Sequence, residues 1–338
     1  MSSQSVVLVS GASGYLGTEV VLSFLSAGYR VRGTVRTTAQ RDAFIAKFPE
    51  HEANIEFHLV PSLVEKGAFD EAVKGVDYVA HTASPVPFGL ITDPEHQLLI
   101  PAIEGTVGML QSALLEPKIK AIVLTSSFAS VRNFVDPAPN AHYTSDSWNP
   151  VTYEQAKAAT PAQGLLAYSG SKVLAEKAAW DFMAREKPSF TLTTILPTWV
   201  LGPSQQPGVK SISDLQSSAG MTAKVLIDTP SLPPVSIFSK YVHIHDVALA
   251  HVGAIARPES RGKRYLLVAG PSSCEQAAFV LRKLFPAQAG RIAPAEDKPL
   301  EVIDTADGTP AEQAFGFKYR TFEETMQDYG EQLFSLAK

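Results

Sequence analysis

The first part of the chain alternates short apolar runs with longer stretches whose apolar residues recur every three or four positions. Residues 5–10 form a valine-rich run, and residues 14–27 place apolar side chains at helical spacing. Such runs are typical of strands buried on both faces, and their alternation with helices predicts βαβ units on a parallel sheet. The same pattern predicts further strands at residues 29–35, 55–60, 76–80, 121–125 and 190–196. It predicts further helices at residues 38–48, 67–73, 94–115 and 161–186.

This regular alternation ends near Pro197, after which proline and glycine become frequent and the predicted elements occur singly. We therefore expect an α/β fold in which residues 1–196 form a doubly wound parallel sheet that binds a nucleotide cofactor. Residues 197–338 are expected to form mainly a smaller C-terminal α/β lobe that binds the substrate, with some elements returning to the sheet. Sheets of this kind bind ligands at the carboxyl ends of their strands.

The composition narrows the class of protein. The chain has 338 residues, of which 45 % are hydrophobic, so it can bury a large core. Its 29 lysines and arginines against 34 aspartates and glutamates leave a net charge of −5, which argues against a nucleic-acid partner. A single cysteine, Cys274, excludes an intrachain disulfide. No apolar run approaches the roughly 20 residues of a membrane span, and no signal peptide is recognisable, so we expect a cytoplasmic protein without a membrane partner.

Two alternating histidines, His243 and His245, are the sequence feature that most invites a metal-binding interpretation. They lie in a strand-like run, and no set of cysteines or carboxylates surrounds them. Metal sites in proteins combine several such ligands. We therefore predict that the protein has no metal site.

A glycine-rich loop follows the first predicted strand and opens the first predicted helix. Its glycines stand in a GxxGxxG pattern at positions 11, 14 and 17. Glycine allows the tight turn, the close approach of a pyrophosphate and the close packing of helix on strand, and the helix N-terminus attracts the phosphates. The loop predicts a dinucleotide site whose contacts come from Gly11, Ser13, Gly14, Tyr15, Leu16 and Gly17.

The charges around the second predicted strand indicate which dinucleotide binds. An NAD site usually places an acidic residue at the end of this strand, but no acidic residue lies between Glu19 and Asp42. That stretch instead carries the arginines Arg30, Arg32, Arg36 and Arg41. Arg36 falls at the carboxyl end of the strand, where a guanidinium can bind a 2′-phosphate. We predict NADP(H), with Arg36 as the main contact and Arg41 as a candidate second one, while Arg32 is expected on the flank of the sheet.

A tyrosine and a lysine one helical turn apart can exchange a proton with a carbonyl oxygen, because the ammonium lowers the pKa of the phenol. The spacing occurs twice, as Tyr153 with Lys157 and as Tyr168 with Lys172. Only the second pair lies within a long predicted helix, and only small residues separate its members, which leaves room for a cofactor. We therefore assign catalysis to Tyr168 and Lys172, and we expect the first pair to be a solvated turn of helix.

Polar and aromatic residues follow the strands whose carboxyl ends should surround the site. The fifth predicted strand ends in Thr125, Ser126 and Ser127, and a serine hydroxyl there can hold the substrate oxygen as charge develops on it. The other side chains expected after the fourth, fifth and sixth strands would form an apolar wall with few charges around the substrate. Such a wall predicts a medium-sized aldehyde or ketone as substrate. The residues of this wall are Val86, Phe88, Phe128, Thr198 and Trp199.

With these motifs in place, the chain resembles the extended short-chain dehydrogenase/reductases, which have a Rossmann-type fold. It is similar to the branch of dihydroflavonol reductase, cinnamoyl-CoA reductase and the yeast methylglyoxal or aldehyde reductases. The matching stretches run in order along most of the chain, at residues 9–17, 31–36, 67–85, 123–130, 168–172, 196–203 and 241–252. The resemblance implies that Ser127 is the catalytic serine and that Lys172 also holds the nicotinamide ribose. It further implies cofactor contacts at Thr82, Ala83, Ser84, Pro197 and Val200.

One position departs from the pattern of these relatives, which usually carry an aspartate after the third strand. Here Ser62 stands at that position, followed by Leu63, and the resemblance places both beside the adenine. A hydroxyl can still accept a hydrogen bond from the adenine amino group. We therefore expect a weaker adenine contact at Ser62 but not a loss of cofactor binding.

Together these features predict an NADPH-dependent carbonyl reductase that transfers a hydride to an aldehyde or ketone and releases an alcohol. Its partner would be a small-molecule carbonyl substrate, and we expect a monomer or a homodimer. Two alternatives remain open at this point. One is a nucleotide-sugar epimerase or dehydratase on the same fold, and the other is a non-catalytic regulator that senses NADP.

Overall fold

Seven parallel strands form the central sheet of the protein. A computed structural model describes residues 4–85, 90–134, 136–138 and 140–336. Its strands, in chain order, are β1 (Val6–Ser10), β2 (Arg30–Val35), β3 (Ile55–Leu59), β4 (Tyr78–His81), β5 (Ala121–Thr125), β6 (His142–Tyr143), β7 (Thr191–Pro197), β8 (Trp199–Leu201), β9 (Lys240–His243), β10 (Arg264–Leu267), β11 (Gly270–Pro271) and β12 (Thr305–Ala306). The large sheet has the order β10-β7-β5-β4-β1-β2-β3, and all of its neighbouring pairs are parallel. The predicted doubly wound parallel sheet is therefore confirmed.

Helices cover both faces of this sheet. They are α1 (Tyr15–Ser26), α2 (Thr38–Lys47), α3 (Asp70–Val73), α4 (Ile100–Leu114), α5 (Tyr153–Lys157), α6 (Gly164–Glu186), α7 (Ser217–Leu226), α8 (Ile244–Ala256), α9 (Cys274–Leu284), α10 (Thr309–Phe315) and α11 (Phe322–Leu336). One apolar core joins the sheet to α1 and α8, and a second joins its other face to α3, α4 and α6. Burial of both faces explains why the strands are continuous apolar runs rather than alternating ones.

The long helix expected at residues 94–115 is divided into two parts. The chain first forms a π-helical turn, Glu95–Leu99, and α4 begins only at Ile100. Pro101 lies in the first turn of α4, and a proline has no N–H with which to continue a regular helix from the preceding turn. The division thus has a local cause in the sequence. It leaves Glu95 on the π-helical turn, where it meets Tyr153 and Lys157 of α5.

The second part of the chain builds a smaller lobe and also completes the large sheet. A three-stranded sheet in the order β11-β9-β8 packs with α7, α9 and α11 around a separate apolar core. In contrast, β10 pairs with β7 at the edge of the large sheet, and α8 packs in the core that contains α1. A domain boundary near Pro197 remains a prediction, because elements from beyond it belong to both units.

The strand order creates the crevice in which a ligand can lie. The chain leaves β1 toward β2 on one side and reaches β4 on the other side of β1. The loops after β1 and β4 therefore diverge at the carboxyl edge of the sheet, which is where such sheets bind ligands. Among the residues that the structure describes, no helix has the length and apolar character needed to cross a membrane.

Candidate active site

The glycine loop is packed so tightly that larger residues would not fit. Gly11 has a φ of +67°, and a Cβ on Gly17 would lie 2.1 Å from the Gly11 carbonyl oxygen. Gly14 precedes α1 without a side-chain cap, and the first turn of α1 contains no acidic residue. The N–H groups at this helix end are therefore available to an anion, as a pyrophosphate requires.

The other predicted loop residues take different positions. Ser13 and Leu16 are partly exposed, and Leu16 packs between the two cores that meet at α1. The side chain of Tyr15 is buried, and its hydroxyl donates a hydrogen bond to the Gly202 carbonyl oxygen at 2.9 Å. Tyr15 thus ties the cofactor helix to the smaller lobe through its side chain. The predicted contact of Tyr15 with the cofactor would therefore be made by its backbone.

The floor of the crevice is held by two residues that the sequence analysis did not identify, Ser10 and His81. The Ser10 Oγ accepts hydrogen bonds from the backbone N–H groups of Thr82 and Ala83, both at 3.0 Å, and lies 2.8 Å from the His81 Nδ1. Burial lowers the pKa of His81 to about 3, and the charge of Lys172 acts in the same direction. The ring is therefore neutral, and its Nδ1 can accept the Ser10 hydroxyl hydrogen. The sequence could have indicated these two residues, because each is a polar residue at the end of an apolar strand, β1 for Ser10 and β4 for His81.

The predicted adenosine contacts lie along the carboxyl ends of β2 and β3. Arg36 follows β2 and is exposed, and its guanidinium makes no hydrogen bond or ion pair with the described part of the chain. Arg41 pairs instead with Asp42 at 2.8 Å. Arg32 donates to Glu56 at 2.6 Å and lies on the sheet flank, as predicted. Of Arg36 and Arg41, the two that follow the carboxyl end of β2, Arg36 is therefore the one whose charge is free to meet a phosphate.

Ser62 and Leu63 follow β3 on the same edge of the sheet. The N–H of Val60 donates to the Val35 carbonyl oxygen at 2.8 Å, which extends the pairing of β2 and β3 toward this loop. Ser62 is partly exposed, whereas Leu63 packs against the apolar core beneath α4. This geometry is compatible with an adenine contact at Ser62, which remains a prediction.

Ser127 and Tyr168 meet at the carboxyl end of β5. Ser127 caps a short 3₁₀ turn, Phe128–Ser130, and its Oγ accepts the Ala129 N–H at 3.1 Å. Its side chain also lies close enough to Tyr168, which is carried by α6, to influence the pKa of the phenol. Burial raises the pKa of Tyr168, and the Ser127 side chain lowers it. The structure thus brings together a hydroxyl pair that could share a substrate oxygen.

Lys172 lies one turn further along α6. Its Nζ is 5.6 Å from the centre of the Tyr168 ring and donates to the Ser84 Oγ at 2.7 Å. Burial lowers the pKa of Lys172 to about 8. The influences that move the pKa of Tyr168 are its burial and the Ser127 hydroxyl, so the direct effect expected from Lys172 is not seen in this geometry. Lys172 instead joins α6 to the loop after β4.

The small residues between Tyr168 and Lys172 pack closely against the rest of the protein. A Cβ on Gly170 would lie 2.2 Å from the Ala156 Cβ, so the glycine lets α5 pack closely on α6. Ser169 and Ser171 are buried. Gly170 therefore makes room for a neighbouring helix, and the room expected for a cofactor beside this stretch stays a prediction.

The first tyrosine–lysine pair is part of a surface cluster. The Tyr153 hydroxyl donates to the Glu95 Oε1 at 2.7 Å, and the Lys157 Nζ lies 3.0 Å from the Glu95 Oε2. The hydrogen bond to Glu95 raises the pKa of Tyr153 to about 12. Lys157 is exposed, as expected of a solvated turn, but both side chains bind one carboxylate on the π-helical turn. This pair is a structural clamp between α5 and residues 95–99.

The residues predicted to form the substrate wall are only partly described. Val86 and Phe88 lie outside the described residues. Phe128 is 4 % exposed and packs in a small core with residues of β7 and β10. The Thr198 hydroxyl donates to the Leu267 carbonyl oxygen, and the Trp199 ring stacks on Phe238 with ring centres 5.6 Å apart. These contacts are those of packed structural side chains, so a substrate role for them remains a prediction.

Pro197 and Val200 lie where the large sheet meets the smaller lobe. Pro197 is the buried last residue of β7, and Val200 is partly buried in β8. The Val200 carbonyl oxygen accepts the Ser218 hydroxyl at 2.6 Å, which joins β8 to α7. Pro197 ends β7, the strand that pairs with β5, and Val200 follows it, so the nicotinamide contact at both positions remains a prediction.

The two alternating histidines are accounted for by structural contacts. The His243 Nδ1 accepts the His245 N–H at 3.0 Å and caps α8, and burial lowers the pKa of His243 to about 3. The His245 Nδ1 lies 2.7 Å from the Glu19 Oε1. Within the described ranges, no group of three or more His, Cys, Asp or Glu side chains is arranged to hold a metal ion.

The chain is similar to known proteins in both sequence and structure. Residues 7–270 match the NAD dependent epimerase/dehydratase family. An uncharacterized oxidoreductase of Schizosaccharomyces pombe is 38% identical over 99% of both chains. Aldehyde reductase 2 of Sporidiobolus salmonicolor is 32% identical over 96% of this chain and 94% of its own. The crystal structure of the yeast methylglyoxal/isovaleraldehyde reductase complexed with NADPH has a TM-score of 0.89 and 30% identity, covering 98% of this chain and 99% of that chain.

Proposed function

The chain belongs to the NAD dependent epimerase/dehydratase family, and we infer that it is an NADPH-dependent carbonyl reductase in which Ser127, Tyr168 and Lys172 carry the catalysis. The observation that carries this proposal is that the Ser127 side chain lies beside Tyr168 at the carboxyl edge of the sheet, with Lys172 one turn away. Relatives named as oxidoreductases and reductases match the chain over nearly its whole length, which favours reduction over epimerisation. An intact Ser127–Tyr168 pair favours an enzyme over a regulator.

The cofactor site fits NADPH in its shape and charge. The Gly11–Gly17 contact leaves the α1 N-terminus open to a pyrophosphate, and Arg36 offers an unpaired guanidinium to a 2′-phosphate. The yeast relative was crystallised with NADPH. When bound, NADPH supplies the hydride for the reaction. The predicted contacts at Thr82, Ala83, Pro197 and Val200 belong to this proposal.

In the proposed reaction each catalytic side chain has a separate task. Tyr168 donates its phenolic proton to the carbonyl oxygen while the carbonyl carbon becomes the carbon of an alcohol. The Ser127 hydroxyl hydrogen-bonds to the same oxygen and keeps it beside Tyr168. Lys172, which is held by Ser84 in the structure, would also bind the ribose next to the nicotinamide. Since burial raises the pKa of Tyr168, the phenol stays protonated and can act as the acid.

The proposed substrate is a small, mainly apolar aldehyde or ketone. The relatives are named for aldehydes and for methylglyoxal, which agrees with the few charges in the predicted substrate wall. We keep the cytoplasmic location and the monomer or homodimer as predictions.

The test is to follow NADPH absorbance with the purified protein against a panel of aldehydes, ketones and sugar nucleotides, with NADH in parallel. We expect oxidation of NADPH by several apolar aldehydes or ketones and much slower oxidation of NADH. Turnover of sugar nucleotides alone would favour an epimerase or dehydratase. Tight NADPH binding without turnover of any carbonyl would favour a regulator.

A further inference from the structure

A buried carboxylate that has no task in the proposed reaction lies behind the catalytic serine. Glu176 is 1 % exposed and is carried by α6, the same helix that carries Tyr168 and Lys172. It follows Lys172 by one turn, and residues spaced in this way lie on one face of a helix. The carboxylate therefore faces the chain segment after β5, as Tyr168 does.

Glu176 binds the residues on both sides of Ser127. Its Oε2 accepts a hydrogen bond from the Ser126 Oγ at 2.6 Å and another from the Ser130 Oγ at 2.6 Å. The Ser130 Oγ also lies 2.8 Å from the Ser127 carbonyl oxygen. Hydrogen bonds from hydroxyls to a carboxylate are short and strong, and these two enclose the Ser127 backbone between them.

The other oxygen of Glu176 is held by the sheet and by a buried arginine. Its Oε1 accepts the Thr194 hydroxyl at 2.9 Å and the Arg264 Nε at 2.7 Å. The Arg264 guanidinium stacks on the Trp148 ring at 3.5 Å from its centre. The carboxylate is thus also anchored by residues that do not belong to the serine segment.

We propose that Glu176 is a positioning residue that fixes Ser127 relative to Tyr168, because it binds the serines flanking Ser127 from the helix that carries Tyr168. This inference rests on the proposed catalytic role of Ser127 and Tyr168. Because these two side chains are carried by separate segments, both segments have to keep one distance if the two hydroxyls are to share a substrate oxygen. A displacement of about 1 Å at a reacting group can reduce a rate by about a hundredfold.

The chain offers a matched pair of variants for the test. Ser130→Ala removes a Glu176 partner on the catalytic segment, whereas Thr194→Val removes a Glu176 partner on β7. Both changes delete one buried hydroxyl that binds the same carboxylate, so a merely structural role predicts similar losses of stability. If Glu176 positions Ser127, only Ser130→Ala should also change catalysis.

The experiment measures kcat, KM for the carbonyl, the Kd for NADPH, the melting temperature and the pH profile of kcat. We expect Ser130→Ala and Glu176→Gln to lower kcat by about tenfold or more. The Kd for NADPH should stay within about twofold, since neither residue lies in the predicted cofactor site. The alkaline limb of the kcat profile should move to higher pH, because the Ser127 side chain lowers the pKa of Tyr168 and a displaced Ser127 would lower it less. Thr194→Val should lower the melting temperature and leave kcat and its pH profile unchanged.

A double-mutant cycle with Ser127→Ala completes the test. If Ser130 and Glu176 act through Ser127, adding Ser130→Ala to Ser127→Ala should change kcat by less than about twofold. Equal effects of Ser130→Ala and Thr194→Val on stability, with kcat unchanged in both, would overturn the positioning role. A full, additive loss of kcat in the Ser127→Ala background would overturn it as well. If Ser127→Ala itself keeps full activity, the proposed function has failed, and the inference fails with it. The serine variants keep the test informative if Glu176→Gln does not fold.

Discussion

The two tyrosine–lysine pairs of this protein have the same spacing on a helix and opposite surroundings. Tyr153 and Lys157 lie on the short helix α5 and share the carboxylate of Glu95. Tyr168 and Lys172 lie on the long helix α6, where Tyr168 meets a serine hydroxyl and Lys172 is buried. The first pair is bound to a glutamate side chain, whereas the second faces the carboxyl edge of the sheet.

This difference shows that the environment, rather than the motif, gives the pair its chemistry. The hydrogen bond to Glu95 raises the pKa of Tyr153 to about 12, and the same carboxylate raises that of Lys157. Burial instead lowers the pKa of Lys172 to about 8. A lysine whose pKa is near neutral pH and a tyrosine beside a second hydroxyl can take part in proton transfer. A tyrosine and a lysine whose pKa values are both raised by one carboxylate keep their protons.

Removing the two phenolic hydroxyls should give the largest contrast. We expect Tyr168→Phe to lower kcat for carbonyl reduction by about a thousandfold, because it removes the general acid. Its Kd for NADPH should change little. Tyr153→Phe should keep kcat within about twofold, since it loses only a hydrogen bond to Glu95. Steady-state kinetics and NADPH titration of both variants check this. Retained turnover in Tyr168→Phe would contradict the assignment.

The two lysines should titrate far apart. In the cofactor-free protein Lys172 should lose its proton as the pH rises through about 8, whereas Lys157 should keep its proton beyond the ordinary lysine pKa. Nuclear magnetic resonance of reductively ¹³C-methylated lysines measures both values, and Lys172→Met and Lys157→Met assign the signals. We expect a separation of more than about two pH units. Equal titration of the two lysines would remove the electrostatic basis of the comparison.

The contrast between a free and a paired side chain also applies to two arginines. Arg36→Ala should weaken NADPH binding by about tenfold to a hundredfold and leave NADH binding unchanged, because only NADPH has a 2′-phosphate. Arg41→Ala should weaken it by less than about threefold, because Arg41 is already paired with Asp42. Fluorescence titration with both cofactors measures the four affinities. A similar loss for NADPH and NADH in Arg36→Ala would argue against a phosphate contact.

The smallest effect is expected at the Glu95 clamp. We expect Glu95→Gln to lower the melting temperature at neutral pH by less than about 3 °C and to leave kcat unchanged, because exposed clusters contribute little. Hydrogen bonds from Tyr153 and Lys157 lower the pKa of Glu95, so its contribution is present above the ordinary glutamate pKa and is lost as the pH falls through the lowered one. Melting curves of both proteins should therefore converge at acid pH. A large loss of kcat would show that the clamp serves the active site.

Sequence reasoning succeeded where the information is local. Each predicted strand of the large sheet overlaps an observed one, because a strand buried on both faces has to be a continuous apolar run. The glycine loop was identifiable because a close backbone contact such as that of Gly17 with Gly11 admits no side chain. Arg36 was identifiable because its position follows from the end of β2.

The contacts between distant segments could not be predicted in this way. Gly170 of α6 packs against Ala156 of α5, and the tyrosine–lysine clamp depends on Glu95 in a π-helical turn. Glu176 reads in the sequence as one more charged helix residue, and only the packing of α6 against the serine segment shows that it is buried. Such features depend on which segments the fold brings together.

The amino-acid sequence by itself determined the parallel sheet, the phosphate-binding loop, the basic end of β2 and the preference for Tyr168 with Lys172 over Tyr153 with Lys157. Each of these depends on residue types at short spacing along the chain, which local physical rules can interpret. The tertiary structure alone decided what surrounds each pair, which lysine is buried and what holds the serine segment in place. The physical reason is that proton chemistry depends on burial and on neighbouring charges, and both are set by residues far apart in the chain.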